Sequence, residues 1–145
     1  MTEPLKVWLI QDILAPYRIK LFEKMARTPG IDFRLIMLAH RTRAKPQWVY
    51  EPESLPFSAE KIVGLSFYIG YSRQYNISPR YFLRLMQERP DVVICAGYSF
   101  ATVQTLVYTL LTGKDYVIWM EGTETTEQTR PLRFLRRWQR MLLDN

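Results

Sequence analysis

Little in this chain supplies the side chains from which metal or nucleophile centres are commonly built. It has one cysteine, Cys95, and one histidine, His40, so neither an intrachain disulfide nor a zinc site of paired Cys and His ligands can be drawn from it. Cys95 falls inside an apolar stretch and reads as a packed thiol, while His40 stands alone after a strand and reads as a loop residue. Glycine is scarce too, six in all, and none lies in the loop DILAPYR after the first apolar run. That loop therefore lacks the glycine fingerprint by which a dinucleotide pyrophosphate approaches the backbone. GxSxG, Walker A, HExxH and CxxC are all missing, which removes the usual support for hydrolase, nucleotide-phosphate and zinc readings. No apolar run nears the roughly 20 residues of a membrane span, and no leader pattern opens the chain. A cytosolic location is the default expectation.

What is present is a succession of short apolar runs and helical patterns. The run Val92–Ala96 is too short for a helix and reads as a strand buried on both faces. Gly97 breaks it, Ser99 is placed to cap a helix, and Phe100, Val103, Leu106, Val107, Leu110 and Leu111 follow at helical spacing up to Gly113. Residues 116–120 form a second strand, parallel to the first through a right-handed crossover. Upstream, Leu5–Gln11 predicts a strand, and Pro16 opens a helix with Ile19, Leu21, Phe22, Met25 and Ala26 on its apolar face. Residues 31–39 predict a second strand and 61–69 a third, weakened at Gly64, with a short strand suggested at 48–51. Asn76 or Ser78 can cap a helix that turns Tyr81, Phe82, Leu85 and Met86 inward. After Pro131 a last helix carries Leu132, Leu135, Trp138 and Leu142 as one stripe among arginines. The expectation is a single α/β domain over residues 1–145, a Rossmann-like, doubly wound parallel sheet with strand order 3-2-1-4-5. The crevice between Asp12 and Gly97 is then the switch point where ligands bind.

Charge is one-sided, +6 overall, with eight Lys or Arg against two acids between Arg18 and Lys45 and five arginines from Arg130 to Arg140. Such patches suit phosphate-bearing ligands, nucleic acid or an anionic membrane surface. The competing account has the last helix covering the sheet while its arginines meet water. Asp12, Glu121, Glu124 and Glu127 are the acids near strand ends, but spacing alone names no catalytic residue and no metal ligand. Read from its residues, the chain is a ligand-binding α/β domain; a non-catalytic module using its basic face for an anionic ligand or nucleic acid is the alternative. No nucleic-acid fold motif supports the latter, and nucleic acid is not an expected partner.

The loop APYR with the helix IKLFEKMA, then RPDVVICAGYSFATVQTL, then DYVIWMEGTE before an Arg-rich helix resembles the N-terminal half of a GT-B glycosyltransferase. The similarity is to family 4, retaining enzymes that use nucleotide sugars. It implies two facing Rossmann-like domains, of which this one receives a sugar, lipid-linked or cell-envelope acceptor. The nucleotide-sugar donor and the family's paired glutamates belong to the other domain, so no cofactor is expected in this one. Position by position the resemblance assigns Asp12, Tyr17 and Arg18 to the first acceptor loop, Gly97, Tyr98 and Ser99 to the second, and Glu121 to Thr123 to the third. Ala96 stands where many relatives carry histidine, so a histidine-based role does not transfer. The resemblance also implies that the chain alone is inactive and that its location is cytoplasmic, peripheral at the inner face of a membrane.

Overall fold

The computed structural model describes residues 3–43, 45–70 and 73–120. Five parallel strands form the main sheet: β1 (Leu5–Gln11), β2 (Ile31–Met37), β3 (Ala59–Lys61), β6 (Val92–Ala96) and β7 (Asp115–Trp119). Helix α1 (Ile19–Ala26) lies between β1 and β2, α2 (Pro79–Glu88) precedes β6, and α3 (Phe100–Thr112) joins β6 to β7. Strand β1 sits at the centre and alternates between two cores, as a strand covered on both faces must. Trp8 and Ile10 meet Tyr81, Leu85 and Tyr108 on the α2 and α3 side. Val7 and Leu9 meet Phe22, Phe33 and Phe57 on the α1 side.

The α/β parallel sheet is as expected, and its order is β3-β2-β1-β6-β7; this differs from the expected 3-2-1-4-5 by two further strands, which precede the last two sheet strands in the chain and stand outside the sheet. Residues 61–69 are not one strand. Ala59–Lys61 pairs with β2 and completes the sheet edge, and the chain then leaves at Gly64. A Cβ at position 64 would run into the Ile77 carbonyl oxygen, so glycine is required for that close approach. Beyond it, β4 (Leu65–Ile69) and β5 (Arg73–Ile77) form a separate antiparallel hairpin. No strand forms at 48–51, and β2 ends at Met37, although the Leu38 and Ala39 amides continue toward β1 by donating to the Gln11 and Asp12 carbonyls at 3.0 Å each.

Helix α3 buries a different face from the one its large apolar residues suggest. Of Phe100, Val103, Leu106, Val107, Leu110 and Leu111 only Leu106 is buried, and Leu110 is 70% exposed. The inner face is Ala101, Thr102, Thr105, Tyr108 and Thr109. These threonines pack without a desolvation penalty because their hydroxyls are already bonded, as when Thr105 donates to the Ala101 carbonyl at 2.8 Å. Small side chains there let α3 approach α2, where Tyr81 and Thr105 share a 2.7 Å hydroxyl bond. Ser99 and Thr102 form a reciprocal capping box at the start of α3, and Gly113 at φ +68° ends it. Tyr81 and Leu85 of α2 face inward as expected, whereas Met86 and, on α1, Leu21 are exposed. Ser78 is the residue before α2, but its hydroxyl makes no capping bond. Among the described residues no helix is long and apolar enough to cross a membrane. The Arg-rich stretch with Leu132, Leu135, Trp138 and Leu142 lies outside the described residues.

Candidate functional site

The carboxyl ends of β1, β6 and β7 meet where the sheet order departs from β1 in both directions, the position that collects ligands in open parallel sheets. Consecutive residues at the end of β1 point to opposite faces. Gln11 turns toward α1 and Asp12 toward the hairpin, so the site has two sides.

On the hairpin side, Asp12 Oδ1 accepts a 2.6 Å hydrogen bond from Asn76 Nδ2. Asn76 is itself held, since its Oδ1 accepts from Ser66 Oγ at 2.7 Å and from Gln74 Nε2 at 3.0 Å. That network fixes which end of the amide faces Asp12. Burial pushes the Asp12 carboxyl above its ordinary value, and the Asn76 hydrogen bond only partly offsets it. Asp12, Leu38, Cys95, Ser99 and Ala101 line a cavity of about 20 Å³, room for roughly one water molecule. Gly97, at φ +86°, makes the turn that brings Ser99 here, and its amide donates to the Trp119 carbonyl at 2.9 Å.

The α1 side is a ladder of cations and aromatic rings. Arg18 Nη1 donates to Gln11 Oε1 at 3.2 Å, and its guanidinium lies 4.5 Å from the Trp119 ring centre and 5.6 Å from that of Tyr17. Tyr17 meets Trp48 edge to face at 6.3 Å, and Lys45 Nζ stands 5.1 Å from the Trp48 ring. Tyr17 is 67% exposed and offers its ring to solvent. Gln11 is buried, and its Nε2 has no hydrogen-bond partner among the described residues, a cost a polar ligand or water would relieve.

The residues singled out from sequence are thus divided. Asp12 and Ser99 line one cavity; Tyr17 and Arg18 stand on the other face of β1, and Gly97 bridges to β7. Tyr98 is half-buried in the same turn. Glu121 and Thr123 lie outside the described residues. Sequence reasoning missed Asn76, Gln11, Trp48 and Trp119. Their signals were faint: a polar residue within a strand, polar and aromatic residues closing apolar strands, and a tryptophan in a proline-rich loop. No protein-family model matches the chain, nor does a curated protein or a solved structure. The chemistry of the site therefore stands on its own geometry.

No group of three His, Cys, Asp or Glu among the described residues is placed to hold a metal ion. Cys95 is packed against Thr105 Oγ1 at 3.5 Å, and burial pushes its thiol up to about 11. A thiolate-directed reagent at pH 8 should label native Cys95 at least about 100-fold more slowly than the unfolded chain. Equal rates in the two states would show that the cavity beside it is open to reagent.

Proposed function

We propose that the chain is the acceptor-binding, Rossmann-like half of a GT-B glycosyltransferase of the family 4 kind, with a nucleotide-sugar donor held by a second domain. The observation that carries this reading is the two-sided crevice at the end of β1. A half-enclosed carboxylate, Asp12, stands on one side, and the Arg18, Tyr17 and Trp119 stack on the other. Sugars need both kinds of surface. Hydroxyl groups donate to carboxylates, apolar ring faces pack on aromatic rings, and a guanidinium binds a phosphate or carboxylate substituent through paired hydrogen bonds.

Two features favour an acceptor over a nucleotide at this position. The loop after β1 has no glycine, so side chains stand where a pyrophosphate would need bare backbone. The buried Gln11 amide and the raised Asp12 carboxyl offer hydrogen-bonding groups that discriminate among hydroxyl arrangements. In this reading Asp12 and Ser99 orient the acceptor hydroxyl, Tyr17 and Tyr98 contact the sugar, and Arg18 receives its anionic group.

In the complete transferase, Arg18→Ala is expected to raise the acceptor KM by roughly 10-fold or more and to leave the donor KM within about twofold. Steady-state kinetics with each substrate varied in turn checks this. Equal effects on both would remove the acceptor assignment, and turnover of a nucleotide sugar by residues 1–145 alone would remove the half-enzyme reading.

A further inference from the structure

The ladder on the α1 side offers chiefly hydrogen-bond donors. Arg18 can only donate, so the Gln11 oxygen is the end of the amide that faces it, at 3.2 Å. Gln11 Nε2 is then a donor with no partner among the described residues, on a side chain only 5% exposed. Lys45 adds a third donor at the far end, 5.1 Å from the Trp48 ring centre. Carboxylates do not balance these groups. Asp12 is turned to the opposite face of β1 and bonded to Asn76, residues 38–50 contain no acid, and Glu23 and Glu51 are engaged with Arg27 at 2.6 Å and Lys61 at 3.0 Å. A neutral sugar, whose hydroxyls donate as well as accept, matches such a surface only in part. A carboxylate or phosphate, which accepts at every oxygen, matches it fully.

The ladder also runs on past the residues assigned to the acceptor. From Trp119 through Arg18 and Tyr17 to Trp48 and Lys45 its successive members stand 4.5, 5.6, 6.3 and 5.1 Å apart. Each step is about the size of one sugar ring, so one sugar leaves part of the ladder uncovered. Tyr17 and Trp48 meet at 80°, which presents two ring surfaces rather than one continuous stack. The loop that carries Trp48 is held by short local bonds: the Lys45 amide donates to Thr42 Oγ1 at 3.2 Å and the Trp48 amide to the Lys45 carbonyl at 3.1 Å. We propose that the ladder holds an acidic saccharide of at least two sugars, its carboxylate or phosphate seated between Gln11 and Arg18 and its next sugar against Trp48 and Lys45. The proposal rests on the acceptor reading given above and adds to it the charge and the length of the acceptor. Trp48 and Lys45 form a second subsite that selects for length.

Isothermal titration calorimetry of the full chain with galacturonate, digalacturonate and the neutral disaccharide cellobiose tests it. Digalacturonate should bind roughly tenfold more tightly than cellobiose through its charge-assisted bonds, and roughly tenfold more tightly than galacturonate through the second ring contact. Trp48→Ala should bring digalacturonate to within about twofold of galacturonate, whose own affinity stays as in the wild type. Lys45→Gln, at an exposed position, should weaken digalacturonate most at low salt. Circular dichroism of both variants separates loss of the subsite from loss of fold. Equal affinity for galacturonate and digalacturonate overturns the second subsite. Equal affinity for digalacturonate and cellobiose overturns the acidic class and leaves the acceptor reading standing, whereas no binding of any of the three removes that reading as well. Tighter binding of glucose 6-phosphate than of galacturonate would seat a phosphate, in preference to a carboxylate, between Gln11 and Arg18.

Discussion

Asp12→Asn is expected to raise the urea midpoint of the chain near pH 7 and, in the transferase proposed above, to remove most of the acceptor use. Enclosure at the end of β1 raises the carboxyl above its ordinary 3.8, against the opposing Asn76 bond. The folded chain then binds more protons than the unfolded chain between the unfolded value and the raised folded one. Stability contributed by the protonated form is complete below the unfolded value and is lost as pH rises through the folded value. Asparagine stays neutral throughout, so the variant should exceed the wild type at pH 7 and the two should converge toward pH 4. The catalytic consequence has the opposite sign. Losing a charge-assisted hydrogen bond, about 1.5–3 kcal/mol, lowers the acceptor kcat/KM roughly 10- to 100-fold. Denaturant titrations over that pH range together with acceptor kinetics check both halves. A variant less stable than wild type at pH 7 would show that the fold requires the Asp12 charge, and unchanged kcat/KM would remove its acceptor role. A group that costs stability while serving a ligand is what functional sites commonly contain.

Phe22→Ala should lower stability by about 3–5 kcal/mol, a large part of the roughly 5–15 kcal/mol that holds a domain of this size. Phe22 is fully buried and touches three rings, with centroids 5.8 Å from Phe33, 6.0 Å from Phe57 and 6.3 Å from Trp119. The cavity left by its ring cannot be filled by collapse, because Phe33 and Phe57 already brace each other at 6.0 Å. Trp119 would lose the ring behind it, and Trp119 is the face on which Arg18 lies. The loss should therefore be read in two ways: a lower urea midpoint, and a weaker acceptor KM under conditions where the variant is still folded. A change below about 1 kcal/mol would mean that the aromatic cluster is loosely packed. Phe22→Leu, which keeps most of the volume, should recover the larger part of both.

The architecture was legible in the sequence because strands of a parallel sheet are written as short unbroken apolar runs, although β6 is fully buried only at Val93 and Cys95 and half-buried on its other face. Val92–Ala96 and Leu5–Gln11 could be little else, and Ser99 and Gly113 marked the limits of α3 by their capping chemistry. Local pattern also brought attention to Asp12, since an acid directly after a buried strand stands at its carboxyl end. Periodicity failed where it had to decide between faces. In α3 most of the large aliphatic residues are exposed and a threonine-rich face, with Leu106 and Tyr108, is buried, because threonine hydroxyls satisfied by their own helix backbone cost little to bury and permit close packing. Residues 61–69 read as one β-forming run, yet a carbonyl approaching Gly64 divides it into a sheet edge and a hairpin, and no local signal encodes an approach from position 77. Asn76 and Asp12 are 64 residues apart in the chain. Their hydrogen bond and the orientation of the hairpin were decided by tertiary contact alone, since only the assembled sheet brings the strand end and the hairpin to one place.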